Sequence, residues 1–140
     1  MHGCLRTYSI DADGVESVIS FSEERSWVGD IQSARGGKPT PYYVDAIEPS
    51  ALLSIALADF DRLLERLPDT ARRYQLGLER GNAARERRIA LALNSTAEER
   101  YLDFVERHPS IVTRVPQRML ASYLGIAPET LSRLRGKLRR

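Results

Sequence analysis

Gln117-Arg118-Met119-Leu120-Ala121-Ser122-Tyr123-Leu124-Gly125-Ile126-Ala127-Pro128-Glu129-Thr130-Leu131-Ser132-Arg133-Leu134 is the stretch on which the fold of this chain turns. Its pattern predicts two short helices, about Pro116 to Leu124 and Pro128 to Leu138, joined by a tight turn: a helix-turn-helix. Ala121 is small where the first helix must approach the second. Gly125, four residues later, is free to take the positive φ that stops a helix abruptly. Leu120, Leu124, Ile126, Leu131 and Leu134 are apolar where the two helices would pack. Pro128 falls in the first turn of the second helix, where a missing N–H costs nothing. An ordinary helical hairpin with a charged outer face shares some of these features. The agreement of the small, glycine and apolar positions favours the motif.

The second predicted helix has two faces. Leu131, Leu134 and Leu138 are expected to point inward, and Glu129, Ser132, Arg133 and Gly136 share the opposite face. Those residue types suit a major groove. Arg bonds guanine O6 and N7 with both arms, Glu accepts from cytosine N4, and Ser reaches base or phosphate. Glu129, Ser132 and Arg133 are therefore the candidate base readers. Gln117, Arg118, Thr130, Arg135 and Lys137 are the candidate backbone contacts, which add affinity rather than sequence choice. Charge agrees with this division. Pro109 to Arg140 holds seven basic residues, including Arg139 and Arg140, against the single acid Glu129, a net +6. The first 108 residues hold fourteen basic and eighteen acidic residues, a net −4. An acidic body with a basic end points to a nucleic-acid partner for that end.

Upstream of the motif the chain reads as strands followed by helices. Leu5 to Ile10 alternates and ends at Asp11-Ala12-Asp13-Gly14, a hairpin signal, with Val15 to Phe21 as the return strand. Trp27 to Gly29 reads as a short strand. Ser33 to Pro41 reads as a loop broken by Gly36, Gly37 and Pro39. Tyr42 to Ile47 and Ala51 to Ala56 read as two more strands. Helices are expected from Asp59 to Leu67, and from about Asp69 to Leu93 with Asp69 or Thr70 as N-cap. Thr96-Ala97-Glu98-Glu99 is a capping box opening a further helix to about Arg107, which buries Tyr101, Leu102, Phe104 and Val105. So few strands beginning so early leave a small sheet with a raw edge, marginal by itself.

At 140 residues and 42% hydrophobic, the chain has enough apolar content for a core and forms one domain or two very small ones. The lone Cys4 excludes a disulfide within the chain and any cysteine-built cluster. No apolar run spans a membrane and no secretory signal opens the chain, so a cytoplasmic location is expected. No paired His and carboxylate motif, phosphate loop or metal-ligand cluster is present, so no enzyme activity and no metal are expected. His2 and His108 read as surface residues, and Cys4 as a small strand residue.

Arg114-Val115-Pro116-Gln117, Ala121 to Ile126 and Pro128 to Arg133 together resemble the DNA-binding end of the Crp/Fnr transcription regulators. Glu129, Ser132 and Arg133 are similar to the Glu-x-x-Ser-Arg reading head of the Fnr type, which reads a TTGA-like half-site. Glu98 to Tyr101 looks like the segment joining that family's long helix to its DNA-binding domain. The strands, Gly29-Asp30, the glycine-rich loop, a strand pair, a short helix and a long helix resemble the second half of a cyclic-nucleotide-binding β-roll with its dimer helix. The resemblance implies an α+β fold in three parts: a partial antiparallel β-roll over 1–68, a long dimerisation helix over 69–94, and a helix-turn-helix domain over 95–140.

The chain departs from that family in three ways. It starts partway through the roll, in keeping with the raw sheet edge. In the phosphate cassette Gly29 is kept, Asp30 replaces Glu, and the Arg and Ser positions fall on Thr40 and Pro41. Without that Arg a cyclic phosphate loses its bidentate partner, so no cofactor is expected, and Gly29, Asp30, Thr40 and Pro41 form only a candidate effector loop. The chain stops soon after the recognition helix, without a following hairpin wing. The expected partners are double-stranded DNA and a second copy of the chain, with RNA polymerase as a further candidate. The long helix is not a clean coiled coil. One stripe runs through Tyr74, Leu78, Gly81, Arg85, Arg88 and Ala92, another through Leu76, Ala83 and Ala90, and Arg85 and Arg88 are poor seam residues. The function expected is a DNA-binding transcription regulator acting as a homodimer. The alternative is an interaction protein that forms mixed dimers with an intact family member.

Overall fold

A computed structural model describes residues 2–138; Met1, Arg139 and Arg140 lie outside the described residues. The chain opens with a hairpin of β1 (Leu5–Ile10) and β2 (Glu16–Ser22), as the Asp-Gly signal predicts. Asp11 makes the turn: its Oδ1 accepts from the N–H groups of Asp13 and Val15, at 3.0 and 2.8 Å. A short helix α1 (Ile31–Arg35) and a strand β3 (Tyr43–Ala46) follow, and β3 pairs antiparallel with β1 to give the order β2-β1-β3. The rest is helical: α2 (Leu57–Arg66), α3 (Pro68–Asn94), α4 (Ala97–Arg107), α5 (Pro109–Arg114), α6 (Gln117–Leu124) and α7 (Pro128–Leu138). This is an α+β fold, with three strands among the described residues.

Two expected strands are not strands. Trp27 instead packs edge-on against Phe60 of α2 and Tyr74 of α3, with ring centroids 5.1 and 6.0 Å apart. Residues 51–56 have no regular structure, and Leu53 is 81% exposed. An apolar run becomes a strand only where an edge is open to receive it. Part of the expected 33–41 loop is helical, because the carboxylate of Asp30 caps the Ser33 N–H at 3.0 Å and starts α1. The long helix starts at Pro68 as N1 with Leu67 as its cap, rather than at Asp69 or Thr70. His108-Pro109 ends α4 as expected but also restarts the chain as α5, with Pro109 at the first position. Thr96 and Glu99 form the capping box on both sides. Leu102, expected inside, is 45% exposed, whereas Tyr101 and Phe104 are buried.

The helix-turn-helix forms as read. Gly125 sits at φ 65° and ψ 41°; its N–H and that of Ile126 return to the carbonyls of Ser122 and Ala121, which closes α6 with a Schellman motif. Leu120, Ala121 and Leu131 are fully buried in one cluster with Tyr101, Phe104 and Ile111. Cys4, from the strand side, belongs to the same cluster, so the sheet and the helical unit share a core.

Two polar devices bind the small sheet. Arg6 of β1, almost fully buried, reaches Glu16 of β2 at 2.5 Å and Asp45 of β3 at 2.7 Å, and lies over the Tyr8 ring. Arg114, at the end of α5, gathers Glu23, Glu24 and Glu48 from the sheet region; Glu24 lies at 2.9 Å, and Glu48 is its other close partner. Arg114 and the Gly3 N–H hold the Glu24 carboxyl down at about 2, and Arg114 also lowers that of Glu48.

Gly125→Ala is expected to lower stability by about 1–2 kcal/mol, because the site has room for a methyl but imposes a left-handed backbone. Gly77→Ala, inside α3 with open space around it, is expected to raise stability by about 0.5–1 kcal/mol. Opposite shifts of the urea midpoint check the pair. A carboxylate with a depressed folded-state pKa contributes stability above its unfolded value and loses it as pH falls through the folded one. The unfolding midpoint is therefore expected to fall between about pH 4.5 and 2, and Arg114→Gln is expected to flatten that fall.

Candidate nucleic-acid interface

The exposed face of α7 is set by what its other face must cover. Leu131 is fully buried and Leu134 packs at the edge of the core. Helical spacing then turns Glu129, Ser132, Arg133 and Gly136 outward, and all four are exposed. Among the described residues, no side-chain hydrogen bond engages Glu129, Ser132 or Arg133. Leu138, expected inside, is 44% exposed, since α7 extends past its packing partners there.

The predicted backbone contacts differ in how free they are. Gln117 and Arg118 are exposed at the start of α6, and Thr130 and Arg135 are half-buried on α7. Lys137 is mostly exposed and meets Glu98 of α4 at 3.3 Å, a surface pair worth about 0–1 kcal/mol. Arg118 borders a small cleft with Arg6 and Glu16 of the sheet.

The sheet docks directly on α6. Tyr8 pairs with Val18 and Thr7 with Ser20, so Ile19 is the extra residue of a β-bulge. The peptide groups around the bulge find side-chain partners. The Val18 N–H donates to Ser122 Oγ at 3.0 Å, and Arg88 of α3 donates to the carbonyls of Ile19 and Val18 at 2.7 and 3.1 Å. Arg88 also lies over the Tyr123 ring, 4.1 Å from its centroid, and burial lowers its pKa. Phe21 completes the seam against Phe104 and Tyr123. Sequence reasoning missed Arg88 and Arg114 as organisers; the one signal was that Arg88 suits a helix seam poorly.

The candidate effector loop is brought together. The Asp30 carboxylate accepts from Ser33 Oγ at 2.6 Å and Thr40 Oγ1 at 2.9 Å, which draws Gly29 and Pro41 alongside. Ser33, then Thr40, lower its pKa, so it carries a negative charge that opposes an anion at that point. Arg35 is held by Asp61 at 2.6 Å. Tyr42 and Tyr43 are both exposed, and Tyr43 stacks on Tyr8. His2 is exposed as expected; His108 is half-buried against the Phe104 ring, and burial lowers its pKa.

The long helix α3 has no buried residue. Of the stripe through Tyr74, Leu78, Gly81, Arg85, Arg88 and Ala92, Tyr74, Gly81 and Arg88 are half-buried toward their own chain and the other three are exposed. Leu78, at the edge of that stripe, and Ile89 and Leu93 beside it are 47%, 61% and 77% exposed. No described helix is long and apolar enough to cross a membrane.

No family model matches the chain. It is 26% identical to the nitrogen fixation regulation protein FixK of Bradyrhizobium diazoefficiens, over its whole length and 62% of FixK. Its fold matches that of a candidate cAMP-binding regulatory protein from Silicibacter pomeroyi DSS-3, with a TM-score of 0.61 at 20% identity, over 99% of this chain and 64% of that one. The chain thus spans under two thirds of each. The fold of the chain and its end-to-end likeness to FixK, a regulation protein, support the resemblance to Crp/Fnr regulators.

Proposed function

We propose that the chain is a sequence-specific DNA-binding transcription regulator that docks as a dimer, with one α7 in the major groove of each half-site. The observation that carries this is the α7 face. A glutamate, a serine and an arginine stand exposed and uncommitted on one side of a helix whose other side is fixed in the core. A side chain without internal partners meets a base edge without first breaking a bond, and an aimed Arg discriminates bases by about 1–3 kcal/mol.

Dimer formation is supported by α3. A 27-residue helix with no fully buried residue, and half-buried at only a few positions, has less of the packing that usually stabilises helices. Pairing two copies along the side bearing Leu78, Ile89 and Leu93 would supply it. Two recognition helices then meet successive major grooves about 34 Å apart. In the effector loop, the Asp30–Thr40 bond and the negative charge of Asp30 argue against an anionic ligand at that position.

The test is titration into a labelled duplex with a two-fold TTGA-type site, against scrambled competitor, at two salt concentrations. Tight, competitor-resistant binding is expected. Arg133→Ala is expected to cost about 1–3 kcal/mol on the matched site and to relax preference at one base pair. Arg135→Ala is expected to weaken all sequences alike and to reduce the salt slope by about one. Unchanged specific binding by Arg133→Ala would reject the assigned face. Weak, sequence-blind binding, restored to specificity by an intact relative, would favour mixed dimers instead.

A further inference from the structure

A cleft of about 750 Å³ lies where α3, α4 and the turn after α6 meet. It is distinct from both the α7 reading face and the Asp30 loop. Leu91, Phe104 and Tyr123 give it an apolar, partly aromatic lining. Its charge is one-sided: among the described residues, five arginines line it and Asp103 is the only carboxylate.

The internal partners do not balance that charge. Asp103 is shared by Arg87 and by Arg107, the latter at 3.2 Å, so one carboxylate serves two guanidinium groups. Arg88 is committed to the bulge carbonyls. Arg100 is the most poorly served. Its Nε is shut off from solvent with no acceptor, and its Nη1 makes only long contacts, 3.4 and 3.5 Å, to the carbonyls of Ala92 and Ser95. Arg80 is exposed at the rim with no side-chain partner among the described residues. The Nε is closed to a ligand as it is to water, but the terminal nitrogens of Arg100, a cleft-lining residue with only those long bonds, are the donors that an incoming oxyanion would meet. The volume falls in the range of small-molecule sites.

We infer that this cleft binds a small organic dianion, a phosphate or dicarboxylate with a flat apolar body. Its charged end lies at Arg100 and Arg80, and its body lies against Phe104 and Tyr123. The ligand would touch α3 and α4 together, at the joint between the long helix and the helix-turn-helix unit.

The probe is phenyl phosphate, titrated calorimetrically without DNA at constant ionic strength, with inorganic phosphate as the comparison. Phenyl phosphate is expected to bind about tenfold more tightly than inorganic phosphate, and Arg100→Gln to weaken it about tenfold, equivalent to 1.4 kcal/mol. Should Arg100→Gln fail to fold by circular dichroism, Arg80→Gln carries the test, because Arg80 makes no side-chain hydrogen bond or ion pair among the described residues. Arg72→Gln, on the same helix but outside the cleft, is expected to leave binding unchanged. Equal affinity for both probes, or indifference to both cleft variants, would overturn the inference. So would a loss of duplex affinity in Arg80→Gln without any phenyl phosphate binding, which would assign the cleft to the DNA backbone. Because binding is read without DNA, a failure of duplex recognition leaves this result intact.

Discussion

The extra residue at Ile19 is the constraint from which the tertiary arrangement follows. A bulge takes two peptide units out of the regular ladder and leaves their polar groups in need of partners. In a lone hairpin, water would supply them. Here Ser122 and Arg88 do, one from the first helix of the helix-turn-helix and one from the long helix. Three elements far apart in sequence therefore meet at one irregularity of one strand. Val18, 1% exposed beside the bulge, fixes the depth of that contact. A three-stranded sheet too small to stand alone is stabilised by becoming one wall of the helical unit's core.

The arginines divide by environment. Arg6, Arg88 and Arg114 are spent on architecture: one clamps three strands, one satisfies a bulge, one gathers three glutamates. Such groups, partly desolvated and held by several partners, are costly to break, whereas a solitary surface pair contributes little. Arg118 and Arg133 keep their charge available at the surface. Arg6 and Arg114 meet the carboxylates of Glu16, Asp45, Glu23, Glu24 and Glu48, so part of the acidic charge of the first 108 residues is already neutralised within the fold.

The C-terminal half was legible because its signals are local. A glycine at the stop of α6, a proline at the start of α7 and a threonine three residues before a glutamate each act within one helical turn. The N-terminal half was less legible because strands are a relation between segments. Residues 51–56 carry the same apolar density as β3, yet only β3 lies along β1. Helix α1 was hidden by its glycine- and proline-rich surroundings, although the Asp30-to-Ser33 spacing that caps it was present. The helix itself offered only the poor fit of Arg88 to a seam; the cause of its inward turn is a bulge some seventy residues earlier. The exposed face of α7 was visible because exposure there is the complement of a simple apolar stripe.

Cys4 lies at the junction of sheet and helices with no exposed surface, and burial pushes its thiol up. Alkylating reagents attack thiolates that solvent can reach. As the chain's sole thiol, it reacts only during excursions that lift the first strand from its helical support. The protein thus carries a chemical clock, whose alkylation rate reports how often the two halves part without any residue being introduced by mutation.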